Sequence, residues 1–439
     1  MPYSSENDFF IPEVNFENSL FCGTVDFSDS TFENSIIFDN CTFKDSAIFF
    51  KTIFKQICSL INSKFEADIY FQEVELFSKI DFSNSKFNDH AVFNNSSFRS
   101  LVGFMRCEFN GDLSLSNSKF EDTVDFTKSN FNQELISTDT LFKTVIFIFC
   151  SFKDRIDFSN CIFQEESSFS NSMFNKSATF FDAEFKKEIN FKHCLFRGDS
   201  FWAGIVASKK ATFLNSKFMG YSFWDDSLFE ADVDMYSCCF NELEMNNAIL
   251  TKSVNFNNST FLKSSFENTR FNGPVYFNNT IFIEETIFDK VIFNDYINFE
   301  NCDFCSETYF LQSLFDNWVY FRDSIFYKKT SFAGSICKEK ILIERSDIEH
   351  LSLANTNIDH FDFIDCKWGK TKYAPIYDDT YQNIVGINDA TLETIYRRLK
   401  VKARDRADEM QTSHWHFREK EMQKKQFNLA LRCISSDLI

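Results

Sequence analysis

Glycine and proline are scarce in this chain, with 10 Gly and 4 Pro in 439 residues, against average usage of about 7% and 5%. Glycine-built turns and the glycine-rich backbone cradles that hold phosphates are therefore poor explanations for it. Long apolar runs are missing as well. Nothing approaches the roughly 18 uninterrupted apolar residues of a membrane-spanning helix, and the nearest stretch, "FNLALRCI" close to the C-terminus, is short and contains Arg432. The opening "MPYSSENDFFIPEVN" has neither the basic nor the sustained apolar region of a secretory signal, so a cytoplasmic protein without a transmembrane segment is expected. There is no H-E-x-x-H motif, and "CDFC" at 302–305 has no second cysteine pair at zinc spacing. No enzyme activity, cofactor or metal is expected.

Positive charge is also short. The formal net charge is -19, and residues 1–370 carry 33 basic against 54 acidic residues, whereas 371–439 carry 12 against 10. An acidic segment of this kind does not bind nucleic acid directly, because phosphate contacts need Lys and Arg.

Phenylalanine is what the chain has in excess, 61 residues of it. From Phe16 the large apolar residues fall at Phe21, Phe27, Phe32, Phe38, Phe43, Phe49 and Phe54, in alternating steps of five and six. The same rhythm runs from Phe158 to Phe196 and from Phe271 to Phe332, and elsewhere Leu115, Ile136, Trp202, Trp224 and Met235 take the place of Phe. After Ile343 every step is five, at Ile348, Leu353, Ile358, Phe363 and Trp368. An eleven-residue period could also describe a right-handed coiled coil. Steps of five and six scatter successive Phe over different helical faces, and the intervening Asn, Ser, Thr and Val form helices poorly, which rules that out.

Two residues before each large one, five-residue steps hold a small side chain (Ser19, Cys41, Ser85, Cys107, Ser118, Thr269) and six-residue steps a branched or aliphatic one (Val102, Val124, Ile156, Ile189, Val275). Residues two apart on an extended strand point the same way, so each step buries a pair and forms one side of a coil. "FENSLF", "FDNCTF", "FSNSKF" and "FENCDF" place Asn just before the small inward residue. There the chain must bend, and the Asn amide can satisfy local backbone groups and ladder onto the next coil. Four sides, or 22 residues, close one coil. From Phe16 to Trp368 this gives about 16 coils stacked roughly 4.8 Å apart, some 77 Å in all. The sixth residue is expected to widen alternate sides.

These motifs resemble the pentapeptide-repeat family, in particular its Phe-rich branch, over roughly residues 10–368. The resemblance implies an all-β solenoid, a right-handed quadrilateral β-helix of roughly 16 coils with a small C-terminal α-helical cap. The expected division is an N-terminal cap over 1–15, the β-helix over 16–368, and a linker with a helical segment over 369–439.

Eight cysteines (Cys41, Cys107, Cys150, Cys161, Cys194, Cys238, Cys302 and Cys366) occupy the small inward slot otherwise held by Ser or Thr. They read as core residues, and free buried thiols suit a reducing compartment. His350 and His360 stand in equivalent places of the shortened repeats and read as turn residues.

Past "KYAPIYDDTYQN" the period changes. Leu392, Ile395, Tyr396, Leu399, Ala403, Ala407, Met410, His414 and Phe417 recur at helical steps, with a break near Asp405 to Asp408 and Asn388 or Asp389 as N-cap. Such a helical pair can cover the open end of the solenoid. "LETIYRRLK" and "WHFREKEMQ" resemble the helical segment that follows the repeats in some bacterial family members. Tyr396, Arg397, Arg398, Trp415 and Arg418 are the candidates for contacting a partner or a second copy through this end.

The function expected is that of a non-catalytic scaffold binding a macromolecular partner through its faces and helical tail. Family resemblance adds an alternative, a DNA mimic that occupies a type II topoisomerase such as DNA gyrase, and that reading requires acidic residues concentrated on one face and a homodimer through the C-terminal end. A regulatory subunit of a membrane or defence complex is a further one.

Overall fold

The computed structural model describes residues 13–371, 373–382 and 386–436. It divides into two compact units, residues 1–223 and 224–439. The N-terminal cap expected over 1–15 lies, apart from residues 13–15, outside the described residues.

In the first unit, two-residue strands such as Leu20–Phe21, Val25–Asp26, Thr31–Phe32 and Ile36–Ile37 form four sides per coil. Each pairs in parallel with the strand one coil on: Lys64 with Lys86 and Phe65 with Phe87, then Lys86 with Glu108 and Phe87 with Phe109. In-register parallel stacking puts identical side chains over one another. Phe43, Phe65, Phe87 and Phe109 form a column with ring centroids 4.9, 5.0 and 4.7 Å apart and planes within 8° of parallel. Each fully buried Phe contributes about 1.5–3 kcal/mol from area and about 0.5–1.5 kcal/mol more from ring pairing. A narrow coil without a globular core needs that density.

The second unit repeats the plan from Trp224, with Phe288, Phe310 and Phe332 stacked at 4.8 and 4.6 Å. Counted over both units, the parallel β-solenoid turns number about 16, and helices follow the last of them in the second unit. Those helices, among the described residues, are α1 (Tyr377–Thr380), α2 (Asp389–Asp405) and α3 (Glu409–Ser436). No helix among the described residues is long and apolar enough to cross a membrane.

Two kinds of corner alternate. In the five-residue step the amide of Ser19 donates to Phe16 O at 3.1 Å, and Asn18 between them has φ 61°. That is a four-residue turn whose third position must be left-handed, which Asn tolerates better than other residues with a Cβ. The pattern recurs every eleven residues, at Asn40, Asn62, Asn84 and Asn95 among others. The expected Asn ladder is present where both coils supply Asn: Asn62 Nδ2 donates to Asn40 Oδ1 at 2.6 Å, and Asn301 to Asn279 at 2.8 Å.

The sixth residue does not widen a side. Most strands on both kinds of step are two residues long, and the pairing of Phe120 with Phe142 and Thr123 with Thr144 sets two corner residues, Glu121 and Asp122, against the single Lys143. It is a bulge in the second corner, which the strands cross both with the extra residue, in Lys119–Asp125, and without it, in Leu141–Ile146. One inward assignment also shifts: Leu135 and Ser137 are buried while Ile136 faces outward, because Ser137 holds the column place between Leu115 and Phe158.

Candidate functional site: the C-terminal helical end

The last coils end in shortened turns, and a buried carboxylate ties the helices to them. Asp378 in α1 accepts Ser352 Oγ at 2.6 Å and the Leu353 amide at 2.6 Å. Burial pushes its carboxyl above the ordinary value, against the hydrogen bonds that favour the charged form. Beside it Tyr396 OH donates to Asp379 Oδ2 at 2.7 Å, and burial raises the phenol.

α2 starts where Asn388 Oδ1 accepts the Thr391 amide at 2.9 Å, the capping expected for Asn388. It stops because Ala407 takes a left-handed φ of 58°, which turns the chain into α3. Leu392, Ile395, Tyr396 and Leu399 face inward, and Trp415 of α3 lies 5.8 Å from the Tyr396 ring and 5.0 Å from Trp368. His414 is buried too, but Met410 and Phe417, which share its helical period, point to solvent.

Charge fastens the hairpin. Glu419, almost wholly buried, accepts Arg397 Nε at 3.1 Å and Lys400 Nζ at 2.5 Å. Burial works to raise its carboxyl, and these two bonds overcome it and hold the group below its ordinary value. Lys402 reaches the Asp359 carbonyl at 2.9 Å and Asp362 at 3.5 Å, and burial lowers its ammonium. Arg406 donates to the Phe363 carbonyl.

Between the final turns and the hairpin runs a groove of about 550 Å³. Phe363, Trp368, Leu399, Met410 and Trp415 supply its apolar walls, and Asp362, Lys370, Lys402, Arg406 and Asp408 its charged ones. Such a groove can hold an apolar side chain while charged groups at its mouth select what carries it.

The five residues expected to meet a partner divide on this structure. Tyr396 and Trp415 are core residues of the hairpin. Arg397 pairs with Glu393 and Glu419, and Arg418 donates to the Tyr373 carbonyl and to Glu421, both at 2.9 Å. Arg398 is exposed and borders a shallower pocket with Leu353, Ile358 and Ile395. Asp378, Glu419, Lys402 and Arg406 escaped sequence reasoning. Asp378, one of two Asp in "YDDTY", carries no periodic signal, and the others look like ordinary helix-surface charges.

Along the repeats, carboxylates alternate with cations one coil away: Lys55 with Glu33 at 2.7 Å, Lys86 with Glu108 at 3.0 Å, Lys290 with Glu267 at 3.0 Å and Arg345 with Asp323 at 2.7 Å. Asp68, Asp89 and His90 bring possible metal-ligand atoms within 4.8 Å of one another at one corner. Asp68 there already accepts Tyr70 OH at 2.8 Å and the His90 amide at 3.1 Å. His350 packs on Tyr377 and His360 Nδ1 lies 2.9 Å from Glu339 O, so the two do not meet. Of the eight inward cysteines all but Cys366 are fully buried, and burial pushes thiols such as Cys150, Cys161 and Cys194 up to about 12.

No curated protein matches the chain. A family model described as pentapeptide repeats (9 copies) matches residues 27–75, 93–136, 245–292 and 256–303. Those segments, about a third of the chain, fall in both units and coincide with stacked Phe columns and left-handed Asn corners, and over them the chain is similar to pentapeptide repeats.

Proposed function

We propose that the protein is a non-catalytic cytoplasmic scaffold that holds a protein partner at its C-terminal helical end, with the repeat faces as secondary contact area. The observation that carries this is the groove, which Trp368, Met410 and Trp415 line together with Lys370, Lys402 and Arg406. Apolar anchors in a charged frame are the anatomy of a binding hot spot, and stacked repeats commonly present extended binding surfaces. Thiols at core positions belong to the same reading, because they suit a reducing cytoplasm.

The DNA-mimic alternative draws on the acidity of residues 1–370. Interleaved Lys and Arg along the coils weigh against it, since mimicry needs uncompensated carboxylates in a continuous stripe. A photo-crosslinker placed at Lys370 in the native host tests the scaffold reading. One protein partner should be trapped there, and Met410→Glu should abolish the adduct while leaving the fold intact. Adducts that form only from repeat-face positions, or inhibition of DNA gyrase supercoiling that weakens with salt, would overturn it.

A further inference from the structure

Residues 13–43 hold six carboxylates (Glu13, Glu17, Asp26, Asp29, Glu33 and Asp39) and no Lys, Arg or His. The same stretch opens the first unit. Phe16, Phe21, Phe27 and Phe32 face inward yet are only half-buried, whereas Phe38, Phe43, Phe49 and Phe54 one coil on are fully buried. Leu20 beside them is 56% exposed. Each coil also receives donors from the next, as when Thr42 N–H meets Ser19 O and Lys44 N–H meets Phe21 O. The equivalent amides of the first coil, Leu20 and Cys22, therefore point toward the open end. Among the described residues the surface is an aromatic disk whose outer strand edge has no partner, rimmed by Glu13, Glu17, Asp26 and Asp29, while Glu33 pairs with Lys55 at 2.7 Å.

The complementary surface is on α3. That helix has 28 residues against 17 in α2, and Gln426 Nε2 donates to the carbonyl of Asp389, the first residue of α2, at 3.3 Å. Residues 427–436 thus run past the hairpin for about 15 Å. Phe427, Leu429 and Leu431 on this extension are 64%, 62% and 50% exposed. From 422 to 436 the sequence holds Lys424, Lys425 and Arg432 and no Asp or Glu, with Lys425 3.6 Å from Asp379 of α1.

We propose that these two surfaces meet between molecules, the α3 extension of one copy covering the open first coil of a second copy. A solenoid end is ordinarily closed by a capping element, and helices already close the C-terminal coil of this chain through Asp378, Ser352 and Leu353. Charge chooses the occupant. Two acidic ends repel each other and so do two basic extensions, which leaves the unlike pairing favoured. The contact is heterologous, so association is not limited to a pair.

Sedimentation velocity of the full chain over a concentration series tests this. The weight-average mass should rise above the 51.6 kDa of one chain, and the association should weaken roughly tenfold or more between low salt and 0.5 M salt. Glu17→Lys with Glu33→Lys, and separately Lys424→Glu with Phe427→Ser, should each hold the protein at monomer mass. Mixing the two variants should restore a 1:1 pair and stop there, because only one intact contact can form. Restored self-association of either variant alone, or a pair built by the acidic-end variant with itself, would assign the contact to like ends and overturn the proposal. A chain that stays monomeric when intact but associates once residues 1–12 are deleted would give the cover to that segment instead, and monomer mass under every condition would refute the contact outright.

Discussion

Ser85 Oγ donates to the carbonyl of Leu60, 2.7 Å away and one coil earlier, and also accepts the amide of Ser63 at 2.8 Å. Where the small inward residue of a five-residue step is a serine like Ser85, it is therefore a hydrogen-bonding peg between coils as well as a space-saver. Thiols make the same donation, from Cys107 to Phe82 O at 3.1 Å and from Cys302 to Phe277 O at 2.8 Å. Ser85→Ala keeps the volume but strands a buried carbonyl and a buried N–H, and should lower unfolding stability by about 1–3 kcal/mol. Ser85→Cys should recover most of that loss. Urea midpoints of the three proteins decide it, and equal losses for Ala and Cys would reduce the slot to a steric one.

Phe149 stands where most corners carry Asn or Asp, with φ 57° and 56% of its surface exposed. A bulky side chain in the left-handed region is strained and here buries little in return. Phe149→Asn should stabilise the protein by about 1 kcal/mol, read as a higher thermal midpoint. An unchanged or lower midpoint would mean that the ring is needed by its neighbours.

Much of this fold was legible because its period is short and repeated. Phe at alternating five and six residues names the inward columns, and Asn before the small residue names the left-handed corner. Four things were not legible. The sixth residue could have lengthened a side or bulged a corner, and only the register of Phe120 with Phe142 and Thr123 with Thr144 separates these. The inward place near 136 went to Ser137 because spacing alone let the more apolar Ile136 claim it. At the helical end Tyr396 and Trp415 looked like contact residues, since an amphipathic pattern cannot say which of its aromatic residues face the partner helix. Asp378 gave no signal, because its importance comes from where Ser352 and Leu353 end the last coil.

Ser137 is the weak point of its column. It lies between Leu115 and Phe158, is buried, and its hydroxyl has no hydrogen-bond partner among the described residues. An aliphatic side chain would fill the place of the missing ring and remove an unsatisfied hydroxyl. Ser137→Leu should raise stability by about 1–2 kcal/mol in a urea titration. A loss instead would show that the neighbouring rings have already closed over the gap.

Asp378 and Glu419 should give the helical end opposite responses to acid. Glu419 is held below its ordinary 4.5, so its contribution is complete above that value and is lost as pH falls through the lowered one. Asp378 is raised above 3.8, so its ionisation costs stability once pH exceeds the raised value, and that cost is recovered as pH falls back through it toward 3.8. Between about pH 5 and pH 3 the α2–α3 hairpin should loosen while the contact between α1 and the last coil tightens. Hydrogen exchange, expressed as protection over the unstructured rate, separates the two: Leu399 should lose protection and Leu353 should gain it. Glu419→Gln should flatten the first response and cost about 1–3 kcal/mol at neutral pH. Asp378→Asn should flatten the second alone. If both amides instead lose protection together in the parent protein, the helices and the last coil open as one unit and the latch at Asp378 does not act independently.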